Sequence, residues 1–299
     1  MLPIELSLDE DFFQEETRNG FFITKKRKEI WAVELDLLAQ FDRVCRKYNL
    51  TYYLDGGTLL GAVRHHGFIP WDDDIDVEMF RNDYDKLLQI AGQEFKEPYF
   101  FQSAYSDTGY VRGHAQLRNS HTCGALPKEA SHVKFNQGMF LDIFVLDGVP
   151  DDPKQRIEQA ETLQKYSGKM VRIACPLMYS RLKYLLKLLR RWFYIKTGLL
   201  KHMYDQFERC ARKYSGSEYV SLLTFYKAAE EDLIFRKESY SDILYVPFES
   251  LECPIPSGYK EILTAYYGKD FMIPQKAPSV HGELILDTEK SYLDVLKIY

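Results

Sequence analysis

No two cysteines of this chain stand close enough to read as a metal or redox pair. The five lie far apart, at Cys45, Cys123, Cys175, Cys210 and Cys253. An odd number without CxxC spacing argues against a zinc site or a disulfide framework, and it fits a reducing compartment. The opening Met1-Leu2-Pro3-Ile4-Glu5 has neither a basic start nor an apolar run, so no signal peptide is expected. No run of about eighteen apolar residues occurs, and no membrane span is expected. A basic surplus is missing as well. With 39 Lys and Arg against 44 Asp and Glu the net charge is −5, and nothing global points to nucleic acid. Repeats and low-complexity linkers are absent. One absence is local: from Thr162 to Tyr204 there is no Asp or Glu, against ten Lys or Arg.

What is present suits a packed protein. The 299 residues make room for one large domain or two smaller ones. A hydrophobic share of 45%, with 22 Tyr and 19 Phe, favours a core over disorder. Ile30, Val33, Leu37, Phe41 and Val44 recur at helical spacing and predict a helix over Lys25 to Tyr48. Tyr52 to Leu54 reads as a short strand broken by Gly56-Gly57. Thr58 is placed to cap a helix from Leu59 to Arg64, which Gly67 ends. Strands are expected at Asp74 to Phe80, Tyr99 to Tyr105, Gly113 to Asn119 and Met139 to Val145, and a helix capped by Asn82 runs to Phe95. From Pro153 to about Tyr214 the pattern is mainly helical. Pro254, Pro256 and Gly258 read as a loop before a short helix ending at Tyr267. The expectation is an α/β core over residues 1–150. A helical, basic region over 151–299 follows, and its C-terminal segment packs back on the core.

The chemistry concentrates between Leu54 and Asp76. Asp72, Asp73, Asp74 and Asp76 place four carboxylates within five residues. Asp74 and Asp76, two apart on a strand, leave one face roughly 7 Å apart. Near a protein surface such a pair repels by about 4 kcal/mol, and a divalent cation reverses that. An acidic run alone is more often a solvated turn. Gly56-Gly57 changes the balance, because it lets backbone amides approach an anion at a helix start. Thr58 adds a hydroxyl and Arg64 a guanidinium suited to phosphate.

Gly-Gly-Thr-Leu-Leu-Gly-Ala-Val-Arg-His followed by Ile-Pro-Trp-Asp-Asp-Asp-Ile-Asp resembles the LicD family, which includes bacterial phosphocholine transferases and has fukutin and fukutin-related protein as relatives. Asp142-Ile143-Phe144 with Asp147 is similar to that family's Asp-Ile-Phe-x-x-Asp. Tyr266-Tyr267-Gly268 through Pro274, Pro278 and His281 resembles its C-terminal signature. The resemblance implies a nucleotidyltransferase fold, a mixed α/β (α+β) sheet core with a mainly helical C-terminal region. It implies that Gly56, Gly57 and Thr58 hold donor phosphates, that Arg64 touches a phosphate, and that Asp72, Asp74 and Asp76 bind Mg2+, or Mn2+ in its place. Asp142 would complete the metal set and activate the acceptor hydroxyl, with Asp147 as substitute. The implied reaction moves a phosphorylated alcohol from a CDP-activated donor to a glycan acceptor, a teichoic acid, lipopolysaccharide or other polysaccharide precursor. Phosphocholine leads as the group, ahead of CDP-ribitol, CDP-glycerol or sugar-nucleotide chemistry. A non-catalytic assembly partner is the rival class.

Other features carry a plainer reading beside the functional one. His65 and His66 read first as packed and solvated turn residues. His114, Gln116 and Arg118 alternate on one strand face, and Arg118 is the one chosen to line the donor site. Trp71 either stacks on a base or wedges into the core. Over residues 181–201, Leu182, Leu185, Leu186, Leu189 and Phe193 form an apolar stripe, with Lys183, Lys187, Arg190 and Arg191 mostly elsewhere. An ordinary helix buries such a stripe, whereas an interfacial helix lays it on a membrane. A lipid-linked acceptor would make the second arrangement useful, at the cytoplasmic face of a membrane.

Overall fold

The computed structural model describes residues 2–130, 133–175, 181–225, 227–276 and 283–296. A hairpin of β1 (Glu16–Arg18) and β2 (Phe21–Ile23) leads into α1 (Lys25–Tyr48). Then come β3 (Tyr53–Leu54), α2 (Gly56–His65), β4 (Ile75–Phe80), α3 (Arg81–Glu94), β5 (Tyr99–Gln102), β6 (Ala115–Asn119), β7 (Cys123–Ala125) and β8 (Met139–Val149). Three helices follow, α4 (Pro153–Ala174), α5 (Arg181–Lys196) and α6 (Leu199–Ala211). The chain closes with β9 (Tyr219–Leu222), β10 (Phe235–Arg236), β11 (Ile243–Phe248), β12 (Leu251–Pro256), α7 (Tyr259–Tyr267), β13 (Ile285–Asp287) and α8 (Tyr292–Val295). The class is α/β with a mixed sheet.

Strand β8 is the axis of that seven-stranded sheet. One edge pairs in parallel with β4, which sets Asp76 opposite Asp142. The other edge takes β6 antiparallel over Met139 to Ile143, then β9 over Leu146 to Val149. Phe144 lies where the partner changes. An eleven-residue strand buried at every position but Asp142 makes this possible, because both its faces are covered.

Helix α1 forms where the apolar spacing predicts it. Thr24 caps it by accepting the Arg27 N–H at 3.2 Å, and Asn49 ends it in the left-handed region at φ 52°. Its buried face holds Trp31, Val33, Leu37, Leu38 and Phe41 against the sheet. Burying one such side chain is worth about 1.5–3 kcal/mol. A second apolar cluster joins α4 and α6 through Leu163, Met170, Met203 and Phe207.

Three local expectations change. Phe80, not Asn82, holds the N-cap position of α3. Pro254 and Pro256 do not form a loop. They lie in β12, opposite Tyr245 and Ile243 of β11, and a two-stranded ribbon tolerates residues that give no N–H. Helix α2 begins at Gly56, with Asp55 before it, so Thr58 is not its cap. Pro278 and His281 lie outside the described residues. Among the described residues no helix is long and apolar enough to cross a membrane.

Glu249, in the turn between β11 and β12, reaches back to the loop after α2. Its N–H donates to the His66 carbonyl at 2.8 Å. Its carboxylate accepts the Phe68 N–H at 3.1 Å and pairs with Arg18 at 2.5 Å. Gly67 makes this approach possible, since a Cβ there would collide with the Glu249 carboxylate.

Candidate active site

A cleft of about 600 Å³ opens beside the start of β4. Gly56, Gly57 and Arg64 of α2 line it together with Asp72, Asp74 and Asp76. The sequence pattern thus places its glycine turn and its acids in one cavity. Asp76 follows from β4. The Asp55 N–H donates to the Asp76 carbonyl at 3.0 Å, and the Asp76 N–H donates to Thr58 Oγ1 at 2.9 Å. Those two bonds lock the start of α2 to the start of β4. Thr58 is therefore buried and does not line the cleft, although it was expected among the phosphate ligands.

The acid loop hangs on α1. The Asp72 carbonyl accepts from Trp31 Nε1 at 3.0 Å and from Arg27 Nη1 at 3.2 Å. Trp31 is itself stacked on Phe68, with ring centroids 4.7 Å apart. Gly57 matters by what it lacks: a Cβ there would stand 2.7 Å from Asp72 Oδ2. The helix start and the carboxylate can approach only because that atom is missing. At Gly56, with φ +53°, a side chain is disfavoured by the backbone itself.

Asp142 faces the same side of the sheet as Phe144, two residues on, which lines the cleft, whereas Asp142 itself is absent from that lining. Gln116 Nε2 donates to it at 2.6 Å, and His114 Nε2 lies 3.1 Å away. Asp147, five positions along the strand, points to the opposite face and is buried in an ion pair with Arg81. It cannot substitute for Asp142. Arg118 also departs from expectation. Its guanidinium donates to Gln102 and Gln116 at 2.5 Å and to the Gly138 carbonyl, and it is absent from the cleft lining. It props Gln116, which holds Asp142. Arg64 does line the cleft, with Nη1 donating to the Phe271 carbonyl at 2.8 Å. His65 is taken up by Arg64 Nε at 2.9 Å and by Asn19.

Several cleft residues were not foreseen. Asp55, Phe225, Lys227 and Asp270 line it, and Tyr266 and Tyr267 do so from α7. Lys227 Nζ stands 4.4 Å from the Tyr266 ring centroid and 5.4 Å from that of Phe225. Asp55 lay inside the quoted motif, so adjacency to Gly56 was its available signal. Asp270, Tyr266 and Tyr267 lay inside the C-terminal stretch quoted above, whereas Lys227 carried no signal, being brought in from a distant part of the chain. Glu34 of α1 is a further buried acid near Asp74, Asp73 and Asp142, pushed above the usual carboxylate range first by burial and then by those charges.

The electrostatics are those of crowded carboxylates. Burial first, and then the charges of Asp74, Asp142, Asp55 and Asp72, push Asp76 well above the usual carboxylate range. Burial and Asp74 do the same to Asp72. Burial pushes Asp55 up to about 6. Burial would also raise Asp142, but His114, Arg112 and Gln116 outweigh it and keep that group below its ordinary value. The residues present fit a hard divalent cation. Asp72, Asp73 and Asp74 each offer an oxygen within 4.8 Å of the others, an all-oxygen set of the kind Mg2+ and Mn2+ take. Asp55 Oδ1 is buried without a hydrogen-bond partner in the same cleft.

Fold and cleft together define an α/β protein whose acid-lined site sits at the start of an inner strand of a mixed sheet. A family model described as LicD/FKTN/FKRP, nucleotidyltransferase domain, matches residues 49–146. Lipopolysaccharide cholinephosphotransferase LicD of Haemophilus influenzae is 30% identical over 262 residues, 83% of this chain and 92% of that protein. Ribitol 5-phosphate transferase FKRP of Homo sapiens is 46% identical over 43 residues, 14% of this chain and 9% of that protein. The chain belongs to the LicD family.

Proposed function

We propose that this chain is an Mg2+-dependent enzyme, with Mn2+ as a substitute, that transfers phosphocholine from CDP-choline to a hydroxyl of a cell-surface glycan precursor. A lipopolysaccharide is the leading acceptor. The observation that carries the reading is that Asp72, Asp74 and Asp76 open into the same cleft as Gly56, Gly57 and Arg64. The near full-length likeness to a lipopolysaccharide cholinephosphotransferase supports the group transferred. So do the aromatic walls: Trp71, Phe144, Phe225, Tyr266 and Tyr267 suit a quaternary ammonium better than a polyol.

In the reaction the acceptor oxygen bonds to the phosphorus of the phosphocholine group, and the bond from that phosphorus to the oxygen of CMP breaks. Asp72 and Asp74, whose oxygens converge, would hold the cation with Asp76 from the same cleft, and the cation when bound neutralises charge on the diphosphate. Gly56 and Gly57 leave room for the phosphates at the start of α2, and Arg64 and Lys227 of the cleft lining offer cations. Asp142 stands opposite Asp76 on the next strand, where burial is outweighed by His114, Arg112 and Gln116 so that its carboxyl stays below the ordinary range. From there it would take the acceptor hydroxyl's proton. Donor and lipid-linked acceptor would meet at the cytoplasmic face of a membrane.

A second reading keeps the site and changes the donor to CDP-ribitol, favoured by the short, strong match to a ribitol 5-phosphate transferase. Titration calorimetry separates the readings. Metal-dependent binding of CDP-choline is expected. Binding of CDP-ribitol alone would move the assignment to the second donor, and no nucleotide binding with metal present would remove both.

A further inference from the structure

Helix α5 is laid on the protein upside down. Its long apolar side chains face solvent: Leu185 is 56% exposed, Leu186 58%, Leu189 63%, Trp192 60% and Phe193 50%. At about 100° per residue they share one arc of roughly 120°. Leu185, Leu189 and Trp192 run in a line with Lys196, and Leu186 and Phe193 run beside it. The side turned to the protein is the more polar one. Arg191 is buried there, and Tyr194 and Ile195 pack on the cluster formed by α4 and α6. An ordinary surface helix does the reverse, so burial in the core does not explain this stripe.

The charge around the arc says what covers it. Lys183, Arg190 and Lys196 are exposed on α5, in a segment with no Asp or Glu from Thr162 to Tyr204. A second copy seated on the same patch would set these cations against their own equivalents, with no acid in the segment itself to offset them. An anionic bilayer offers both halves of the match, apolar depth for leucine and phenylalanine and a negative surface for the cations. Trp192 is an amphipathic ring suited to the headgroup boundary. We infer that the outward face of α5 docks on a membrane rich in anionic lipid, a contact made by surface insertion rather than by spanning.

The full chain should float with vesicles of phosphatidylcholine containing about a third phosphatidylglycerol and stay behind with phosphatidylcholine alone. About 0.5 M salt should release most of it, since screening acts on the charge half of the contact. Trp192 is exposed, whereas Trp31 is buried, so vesicle binding should shift tryptophan emission to the blue, and Trp192→Phe should remove most of the shift. Leu189→Glu should melt like the parent, because that side chain touches little, yet bind anionic vesicles at least about tenfold more weakly. If Leu189→Glu fails to fold, Lys183→Glu with Arg190→Glu reads the same contact through charge. Failure to float with anionic vesicles at low salt would overturn the inference. So would undiminished binding by a folded variant. A dimer in light scattering that Leu189→Glu disperses, with vesicles unbound throughout, would assign the face to a second copy instead.

Discussion

Asp76 carries a carboxyl in a place that opposes its ionisation, half-buried among four other acids. A protein keeps such a group when something bound repays the repulsion. Asp76→Asn removes the charge at constant size. Turnover should fall by about a thousandfold or more, while the melting temperature without metal stays level or rises. Retained turnover in a folded variant would take Asp76 out of the mechanism. A pH series tests the cluster as a whole. Asp55 is raised from 3.8 to about 6. The folded chain therefore holds its proton more tightly than the unfolded one, and that contribution to stability is lost as pH rises from about 4 through about 6. Asp72 and Asp76 shift in the same direction. Added Mg2+ should accordingly raise the melting temperature clearly at about pH 7.5 and hardly at about pH 5, where protons compete for the ligands. Equal shifts at both pH values in scanning calorimetry would count against a carboxylate metal site. At this scale the tandem acids and glycines were legible, because one short stretch of chain carries them. Glu34 and Lys227 were not, because only folding brings them near.

Helix α1 shows what an element contributes beyond packing. Through Trp31 Nε1 it fixes the carbonyl of Asp72, so a core residue acts as a positioning residue for the acids. Trp31→Phe keeps a ring but deletes that donor. Losing the bond should cost about 1 kcal/mol, with a further loss for the smaller ring. The diagnostic change is elsewhere: turnover should drop about tenfold or more, with weaker metal affinity, through a misplaced acid loop. A variant that loses stability alone would reduce Trp31 to a packing role. The spacing of Ile30, Val33, Leu37, Phe41 and Val44 made this helix readable end to end. The ribbon of β11 and β12 was misread, since Pro254 and Pro256 signal a loop locally and only the partner strand overrides them. Thr58 was misread for a related reason. Its hydroxyl accepts from a strand eighteen positions away instead of from its own helix.

Across the whole molecule a buried ionic chain ties the sheet to the helices. Arg81 Nε donates to Asp147 at 2.8 Å and Nη1 to Glu208 of α6 at 2.9 Å. Arg212 pairs with both Glu208 and Asp85. Removing Arg81 leaves buried Asp147 uncompensated and Glu208 with Arg212 alone, so Arg81→Met should lower stability by roughly 3–5 kcal/mol, measured by urea unfolding. The parent should melt in a single transition, and two separated transitions would show that residues 1–150 and 151–299 unfold apart. The outward stripe of α5 marks where sequence reading reached its limit. Periodicity located the stripe, but which way a helix is turned depends on its neighbours.

The contact of Glu249 with Gly67, Phe68 and Arg18 also bears on how the protein comes into being. The stretch from Tyr52 to Asp76 is enough to recognise the family by eye, yet the loop within it is anchored by a residue made much later on the ribosome. Lys227, Tyr266 and Tyr267, which wall the cleft, also arrive late. A growing chain that has just exposed its aspartates therefore has no finished cavity, and a fragment ending before the β11–β12 ribbon would carry the signature without the site.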